Sequence, residues 1–214
     1  MSSLFVAPQS RMAAMATATA TRRWGRSFDP DRLATLELQM WKAYYRREGL
    51  LLFRLLVRAN REQAGVGWVR AIVAAFWLTL AAIRFGRSTG EYERFAGAIA
   101  RAYRLLRLPA NVDADEIARR ELRWWVVRRE IGLTAGDAAG DAITALYAAI
   151  YQVPEPAVAE AGRLRGHAAE VRDRKAAADP DGAAGPGAGY WPEVARLLRA
   201  SYRSLYAAVN DSGG

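Results

Sequence analysis

The stretch between residues 29 and 59 carries apolar residues at helical spacing, arginines along its edges and one acid, Glu37, inside its apolar stripe. Positions three and four apart share one face of a helix, so Glu37 falls in a column with Leu33, Met40, Trp41 and Tyr44. An ionised carboxylate taken out of water is strongly destabilising unless it is paired, bound to a metal or protonated. Glu37 therefore predicts a buried ion pair with an arginine or, alternatively, a ligand or catalytic carboxylate.

Helical signals recur along the rest of the chain, whereas alternating, turn-bounded strand patterns are scarce. Asp29 followed by Pro30 is typical of a helix start, and further helices are predicted up to a last one that begins at Pro192. The sequence predicts an all-α fold, a bundle of seven or eight helices that forms a single domain over residues 29–210. The glycine- and proline-rich run DPDGAAGPGAG predicts a flexible loop at residues 178–189.

Several acids follow a Ser, Thr or Asp at the three-residue spacing of a helix-capping box. The pairs are Ser88 with Glu91, Asp113 with Glu116, and Thr134 with Asp137. Acids at these positions also interact favourably with the helix dipole. We interpret the three pairs as helix starts and not as catalytic carboxylate pairs.

Residues 1–28 differ in composition from the rest of the chain. No acid precedes Asp29, and the basic residues of this segment are Arg11, Arg22, Arg23 and Arg26. The composition predicts a flexible basic leader: a disordered extension, an overlong start with Met12 or Met15 as the rival initiator, or a transit peptide. A secretory apolar segment is missing from it, so we expect a cytoplasmic protein, or an organellar one if the leader is a transit peptide.

Charge and cysteine content exclude some classes of chemistry. With no cysteine, thiolate catalysis, disulfides and cysteine-ligated zinc are excluded. The formal net charge is +9, but only Lys42 and Lys175 are lysines, and arginine with abundant alanine and glycine is also what a GC-rich genome produces. Arginine-rich helix faces are candidates for binding an acidic partner protein or a peripheral membrane surface, and no helix-turn-helix pattern favours nucleic acid. The clearest such face carries Arg196, Arg199 and Arg203.

The most hydrophobic segment spans residues 68–85. Its uninterrupted apolar core, residues 71–83, is shorter than the ~20 residues that a bilayer-spanning helix needs. We therefore expect a buried central helix. Membrane insertion is the alternative, because Arg70 and Arg84 could extend outward at the two ends.

Glu121 repeats the setting of Glu37 on another predicted helix, residues 114–131, between Ile117 and the adjacent Trp124 and Trp125. If the two helices pack face to face, two carboxylates meet in an apolar interior, which requires a shared proton, a metal ion or arginines. The arginine surplus favours salt bridges, for which the candidate partners are Arg120, Arg123 and Arg128.

His167 is the only histidine, and it precedes Glu170 by three residues on the same helix face. With Arg163 and Arg174 it forms a charged column that is typical of a solvated surface. Alternatively, His167 and Glu170 join the two interior carboxylates in a site for iron or manganese, whose carboxylate and imidazole ligands commonly come from facing helices of a bundle.

The spacing of Glu37 and Tyr44, with six residues between them, resembles the first helix of the ferritin-like di-iron bundles. That family has two Glu-x-x-His motifs, whereas this chain has a single histidine in the reversed order, His167-x-x-Glu170. The resemblance covers only residues 37–44 and implies at most a ligand role for Glu37.

No catalytic or phosphate-binding motif of high specificity occurs in the sequence. The hypothesis that remains is a helical bundle whose buried carboxylate centre binds a metal ion or a small polar ligand. Its candidate residues are Glu37, Tyr44, Glu121, His167 and Glu170. The alternative is a non-enzymatic scaffold that binds acidic partners through its arginine-rich helix faces.

Overall fold

The computed structural model describes residues 25–178 and 189–211. This part of the chain contains eight α-helices, one 3₁₀-helix and no β-strand, so the predicted all-α bundle is confirmed. The helices are α1 (Pro30–Tyr45), α2 (Gly49–Ala64), α3 (Trp68–Arg87), α4 (Ala96–Leu105), α5 (Ala114–Ile131), α6 (Gly136–Tyr151), α7 (Glu155–Ala178) and α8 (Trp191–Asp211), with the 3₁₀-helix Tyr92–Phe95 before α4.

The eight helices form a closed ring. Each packs against the helix before it and the helix after it, and α8 packs back against α1. Most connections are short, so successive helices run antiparallel. The last residues of α1, α3, α5 and α7 therefore meet at one end of the ring, where Arg128 of α5 binds Tyr45 of α1 and Asp173 of α7. We call this end the arginine end. At the opposite end α2 and α6 finish together, and Gln63 donates a hydrogen bond to Tyr151.

The predicted helix starts at Asp29 and Asp113 are confirmed, because each side chain accepts a hydrogen bond from the backbone N–H two residues further on. The capping box predicted from Ser88 and Glu91 is wrong. The Ser88 hydroxyl donates to the carbonyl oxygen of Gly90, and Glu91 makes no capping hydrogen bond. The hydroxyl thus closes a local turn, a common alternative use of serine near helix ends.

The capping pair predicted for α6 is also wrong. Neither Thr134 nor Asp137 caps the helix. The N–H of Gly136 instead donates to Oε2 of Glu170 on α7, at 3.0 Å. A carboxylate from a neighbouring helix satisfies this helix start, and spacing within one segment cannot predict such a contact.

Helices α6 and α7 approach each other through glycines. Gly136 and Gly140 on α6 face Gly162 and Gly166 on α7, and in each pair the glycines lie on one helix face. A Cβ atom added at Gly166 would lie 2.3 Å from the carbonyl oxygen of Gly136, and one added at Gly162 would lie 2.1 Å from the Thr144 hydroxyl. The crossing therefore requires residues without a side chain, and it holds α7 close to the ring interior.

Helix α3 is not the buried central helix that its hydrophobicity predicted. Its small residues face inward, and Ala71 and Ala74 are fully buried. Its large residues face outward, with Val69 76% and Phe76 52% exposed. By length and composition α3 could cross a membrane, but a third of the segment that meets this criterion (33%) is buried in the ring. The helix is one wall of the ring with an apolar outer face.

The segment just before α1 belongs to the bundle. The ring of Phe28 is buried and packs against Tyr151, Tyr202 and Tyr206. Arg26 donates hydrogen bonds to backbone carbonyls near the ends of α6 and α8. Arg26 and Phe28, which the sequence assigns to the leader, thus belong to the bundle. The rest of the predicted leader, residues 1–24, and residues 179–188 of the predicted loop lie outside the described residues.

Replacement of Gly166 with alanine should destabilise the fold by about 1–3 kcal/mol, because the α6 and α7 backbones must separate to admit the methyl group. The matched control is Gly97→Ala on α4, where nothing lies within 4 Å of the added Cβ atom. This control should stabilise the protein by about 0.5–1 kcal/mol through helix propensity. Urea unfolding measures both free energies, and equal effects would contradict the close crossing.

Candidate functional site

A cavity of about 850 Å³ lies inside the ring, and residues from all eight helices line it. Its exposed lining residues are Arg47, Gly86, Arg87 and Arg129, which all lie at the arginine end. At the opposite end the lining is buried or half-buried, as at Asn60. The cavity therefore opens at the arginine end, and its volume is in the range of pockets that hold small organic ligands.

Glu37 and Arg165 form an ion pair across the interior, between α1 and α7. The Nε and Nη2 atoms of the guanidinium both lie 2.7 Å from Oε1 of the carboxylate. The Glu37 side chain is 1% exposed and that of Arg165 is 13% exposed. The predicted burial of Glu37 and its pairing with an arginine are confirmed.

The guanidinium of Arg165 also meets aromatic residues of other helices. It lies 4.9 Å from the ring centroid of Trp124 on α5 and 5.8 Å from that of Tyr147 on α6. Burial alone would lower the pKa of Arg165, but the nearby Glu37 carboxylate and tyrosine hydroxyls raise it well above its usual value. Burial, and then the charge of Glu37, raise the pKa of Tyr202 on α8. Arg165 thus remains charged at the junction of five helices.

Glu121 on α5 is held by neutral donors. The Tyr103 hydroxyl donates to Oε2 at 3.0 Å, and the indole N–H groups of Trp124 and Trp125 donate to Oε1 at 3.1 and 3.0 Å. Burial, and then the charge of Glu121, raise the pKa of Tyr103 well above its usual value, which keeps that hydroxyl protonated as a donor. Both oxygens of this carboxylate are therefore occupied.

The predicted arginine partners of this carboxylate are engaged elsewhere, so the prediction of salt bridges to it is wrong. Arg120 pairs with Glu116 at 2.8 Å, Arg128 pairs with Asp173 at 2.6 Å, and Arg123 is exposed. Trp124 and Trp125, three and four residues after Glu121 on the same helix face, supply neutral hydrogen-bond donors instead. The apolar setting of these two tryptophans in the sequence predicts core packing and does not reveal their role as hydrogen-bond donors.

The two interior carboxylates face one common space. Burial raises the pKa of Tyr147 to about 12, and the negative charges of both Glu37 and Glu121 act on its hydroxyl in the same direction. The acid-bearing helices do not pack face to face, because α1 packs on α2 and α8 while α5 packs on α4 and α6. Both carboxylates instead line the same cavity. The carboxylates are nevertheless neutralised separately, one by a cation and the other by hydrogen bonds.

Three buried polar atoms around the cavity have no hydrogen-bond partner of normal geometry among the described residues. They are Oε2 of Glu37, Nδ2 of Asn60 and the hydroxyl of Tyr147. Leaving a buried donor or acceptor unpaired costs about 1–3 kcal/mol. Oε2 of Glu37 can only accept a hydrogen bond, and Nδ2 of Asn60 can only donate one. The cavity wall therefore offers both an acceptor and a donor.

A second ion pair lies at the arginine end of the cavity. The Nε and Nη2 atoms of Arg128 donate to the two carboxylate oxygens of Asp173, at 2.6 and 2.8 Å. Burial would raise the pKa of Asp173, but the hydrogen bonds from Arg128 hold it below its usual value. Tyr44 lines the same end, beside Gly86, and burial raises the pKa of its hydroxyl. Tyr44 thus lies nearer the mouth than Glu37.

Arginines surround the mouth of the cavity. Arg47, Arg87 and Arg129 form no ion pair with an acid of the described chain. Arg129 instead donates to the backbone carbonyl of Ser88 at 2.8 Å. The entrance therefore carries three arginines that form no ion pair with a described acid, although the exposed Glu48 and Glu130 are next to two of them in the chain.

The predicted metal set is not formed. His167 is exposed on α7, as the solvated-surface interpretation expected. Glu170 accepts hydrogen bonds from the start of α6 and from Arg174, so it lies apart from the interior carboxylates. Across residues 25–178 and 189–211, no three His, Asp or Glu side chains come together in a group that could hold a metal ion.

The arginine face predicted on α8 is partly neutralised. Arg203 donates from Nε and Nη2 to the two oxygens of Asp31 on α1, both at 2.8 Å. Arg199 lies 3.9 Å from the same carboxylate. Arg196 is exposed and forms no ion pair with a described acid. Two of the three arginines thus fasten α8 to α1.

Arg165 is the central residue that the sequence analysis missed. It occurs in a helical column with Val158, Ala161 and Ala168, all of which are fully buried. A single arginine in a column of small apolar residues is the counterpart of a single acid in an apolar column, and this signal was present in the sequence. The neighbouring charged column on the same helix, which contains the exposed His167, is not part of the interior.

No family model, curated protein or solved structure matches the chain. The cavity and its polar groups are therefore the basis for a functional proposal.

Replacement of Arg165 with methionine should destabilise the fold by about 3–5 kcal/mol, because it leaves the Glu37 carboxylate buried and unpaired. Replacement of both residues, in the double variant Glu37→Leu, Arg165→Met, should recover most of this loss. Chemical unfolding of the two single variants and the double variant measures the coupling free energy. Additive losses would show that the two side chains do not neutralise each other.

The pKa of Tyr147 predicts a loss of stability in alkali. This pKa is about 12 in the folded protein and about 10 in an unfolded chain. The unfolded chain therefore loses the proton first, so this contribution to stability is complete below pH of about 10 and is lost as the pH rises toward about 12.

The variant Tyr147→Phe removes this titration. Its free energy of unfolding should fall less steeply than that of the wild type over the same pH range, by up to about 1.4 kcal/mol per pH unit. Denaturant unfolding at a series of pH values measures the slope, and Tyr206→Phe, at an exposed tyrosine, is the control. Identical slopes for Tyr147→Phe and the wild type would contradict the prediction.

Proposed function

We propose that this protein binds a small organic ligand in the central cavity and that the ligand donates a hydrogen bond to Glu37. The observation that carries the proposal is Oε2 of Glu37, an atom without a hydrogen-bond partner of normal geometry although the Tyr202 hydroxyl lies near this carboxylate. The Glu37 side chain is 1% exposed and lines the cavity. Arg165 occupies only the other oxygen. A hydroxyl or amino group that reaches Oε2 would remove the cost of leaving this acceptor unpaired.

The walls around this acceptor favour a ligand with an apolar body. Aromatic and aliphatic side chains make up most of the lining, and they include Trp41, Phe85, Trp124 and Trp125. Burial of apolar ligand surface against them supplies affinity, while the few polar groups fix orientation. A purely polar ligand would leave most of this wall without a contact partner.

The mouth favours an acidic group at the outer end of the ligand. Arg47, Arg87 and Arg129 surround the opening and no acid of the described chain pairs with them. On α1 the distance from Glu37 to Tyr45 at the arginine end is eight residues, about 12 Å at 1.5 Å per residue. The best-fitting ligand is therefore an organic acid about 12 Å long with a hydrogen-bond donor at its far end.

Two other functions have less support. A metal site would need several carboxylate or imidazole ligands, and Glu121 already accepts three hydrogen bonds while His167 is exposed. A scaffold that binds acidic partners through α8 would use arginines of which two already contact Asp31. The cavity combines volume, apolar walls and unused polar atoms at one place.

A matched set of chain molecules tests the two ends of the ligand separately. The probes ω-hydroxydecanoate, decanoate and decanol share an apolar chain and differ in the groups at its ends. Titration calorimetry should rank ω-hydroxydecanoate as the tightest. Decanoate should bind about tenfold more weakly, because Oε2 of Glu37 then stays unpaired, and decanol should bind more weakly because it lacks the acidic group.

Two variants assign each preference to its residue. In Glu37→Leu, Arg165→Met the preference for ω-hydroxydecanoate over decanoate should disappear, while the preference for the acid over decanol remains. In Arg87→Ser the second preference should weaken, and Arg123→Ser, at an exposed arginine away from the cavity, should leave both unchanged. Absence of binding for all three probes, or a hydroxyl preference that survives loss of Glu37, would refute the proposal.

A further inference from the structure

Helix α3 presents a continuous apolar stripe to the outside of the ring. The stripe consists of Trp68, Val69, Ile72, Val73 and Phe76, whose exposed fractions are 57%, 76%, 44%, 39% and 52%. These positions follow the three- and four-residue spacing of one helix face. Soluble proteins rarely expose so many large apolar residues together unless the surface binds something.

The stripe cannot turn inward, because the inner face of α3 is already packed. Ala71, Ala74 and Ala75 are 0% exposed and leave no room for larger side chains. The helix packs between α2 and α4 as part of the closed ring. Exposure of the stripe is therefore a consequence of the folded arrangement and not of a poorly packed helix.

Arginines flank the stripe on both sides. Arg61 of α2 stacks on the Trp68 ring at 3.8 Å, and Arg101 of α4 stacks on the Trp77 ring at 4.6 Å. Arg54 and Arg58 are exposed on α2 as well. None of these four arginines forms an ion pair with an acid of residues 25–178 and 189–211.

The helices on this side of the ring carry almost no acid, although Glu91 and Glu93 are exposed in the connection between α3 and α4. Helices α2, α3 and α4 together contain a single acid, Glu62, and it pairs with Arg32 of α1 at 3.1 Å. Within α3 itself, Arg70 and Arg84 are exposed near its two ends. The surface thus combines an apolar centre, aromatic residues and uncompensated positive charge.

Three occupants could cover such a surface, and charge decides among them. A second copy of this chain would bring two sets of unpaired arginines together, which is unfavourable. The segment 1–24 of the same chain carries Arg11, Arg22 and Arg23 and no acid, so its charge has the same sign. An anionic phospholipid surface neutralises the arginines and buries the apolar side chains in one step.

We propose that the α3 stripe docks the protein on anionic phospholipid membranes. Helix α3 lies along the interface with Trp68, Val69, Ile72, Val73 and Phe76 among the outer acyl chains, while the arginines of α2 and α4 contact lipid phosphates. The inner alanines stay packed in the ring, so the helix lies on the bilayer and does not cross it. This proposal is independent of the ligand in the cavity.

Flotation of the full chain with vesicles tests the proposal. Vesicles of equal parts phosphatidylcholine and phosphatidylglycerol should carry the protein upward at low salt, and vesicles of phosphatidylcholine alone should not. Binding should weaken as the salt concentration rises, because salt screens the arginine–phosphate attraction. Absence of binding to the anionic vesicles at low salt, or equal binding to both compositions, overturns the proposal.

Two pairs of variants locate the contact. The double variant with Val69→Ser and Phe76→Ser should lower the vesicle partition coefficient by about tenfold or more. The control is the double variant with Ile131→Ser and Leu133→Ser, whose residues are 49% and 48% exposed away from the stripe, and it should leave the coefficient unchanged. The double variant with Arg54→Ser and Arg58→Ser should also lower the partition coefficient by about tenfold. The double variant with Arg123→Ser and Arg196→Ser removes the same charge elsewhere and is the matched control. Circular dichroism should show the same helical content for all four, since every substituted side chain is exposed.

The controls also separate the other occupants. The proposal is overturned if the Arg123, Arg196 double variant loses vesicle binding while the Arg54, Arg58 double variant keeps it. That result would place the membrane contact on another face. Light scattering of the wild type measures self-association. A dimer that the Val69→Ser, Phe76→Ser variant dissociates would show that a second copy, and not a membrane, covers the stripe.

Discussion

A guanidinium in the middle of a protein is stable only when its surroundings replace the interactions that water would supply. Arg165 of α7 obtains them from four other helices: the Glu37 carboxylate of α1, the Trp124 ring of α5, and the Tyr147 and Tyr202 hydroxyls of α6 and α8. A shift of any one of these helices would leave a buried charge less well compensated. This buried cation therefore constrains the relative positions of five helices.

The negative charges of Glu37 and Glu121, the two carboxylates that line the cavity, are stabilised in different ways. Glu121 accepts three hydrogen bonds from neutral donors, and both of its oxygens are used. Glu37 receives both N–H groups of Arg165 on one oxygen, and its other oxygen has no hydrogen-bond partner of normal geometry. A site built around an unpaired buried acceptor discriminates strongly against molecules that lack the matching donor. Both oxygens of Glu121 are thus used within the protein, whereas Oε2 of Glu37 is the atom to which the proposed ligand would donate.

Local chemistry accounts for what could be predicted from the sequence. Helix starts such as Asp29 and the burial of Glu37 follow from contacts within a few residues, and these patterns are visible in one segment. The identity of the partner is not visible, because Arg165 is 128 positions away and many other arginines were equally available. The orientation of α3 could not be predicted either, since both of its faces are apolar. Packing between α2 and α4 selected the face with Ala71 and Ala74 as the inner one.

Helix α3 contributes to both the cavity wall and the outer apolar stripe, in different halves of its length. Val69 and Phe76 of the stripe are exposed in its first half, whereas Leu78, Ala82 and Phe85 line the cavity in its second half. The two surfaces are thus consecutive parts of one 20-residue helix, about 30 Å long. A helix that tilts as a rigid body moves both of its halves, so a tilt that repositions the stripe would also reposition this part of the cavity wall.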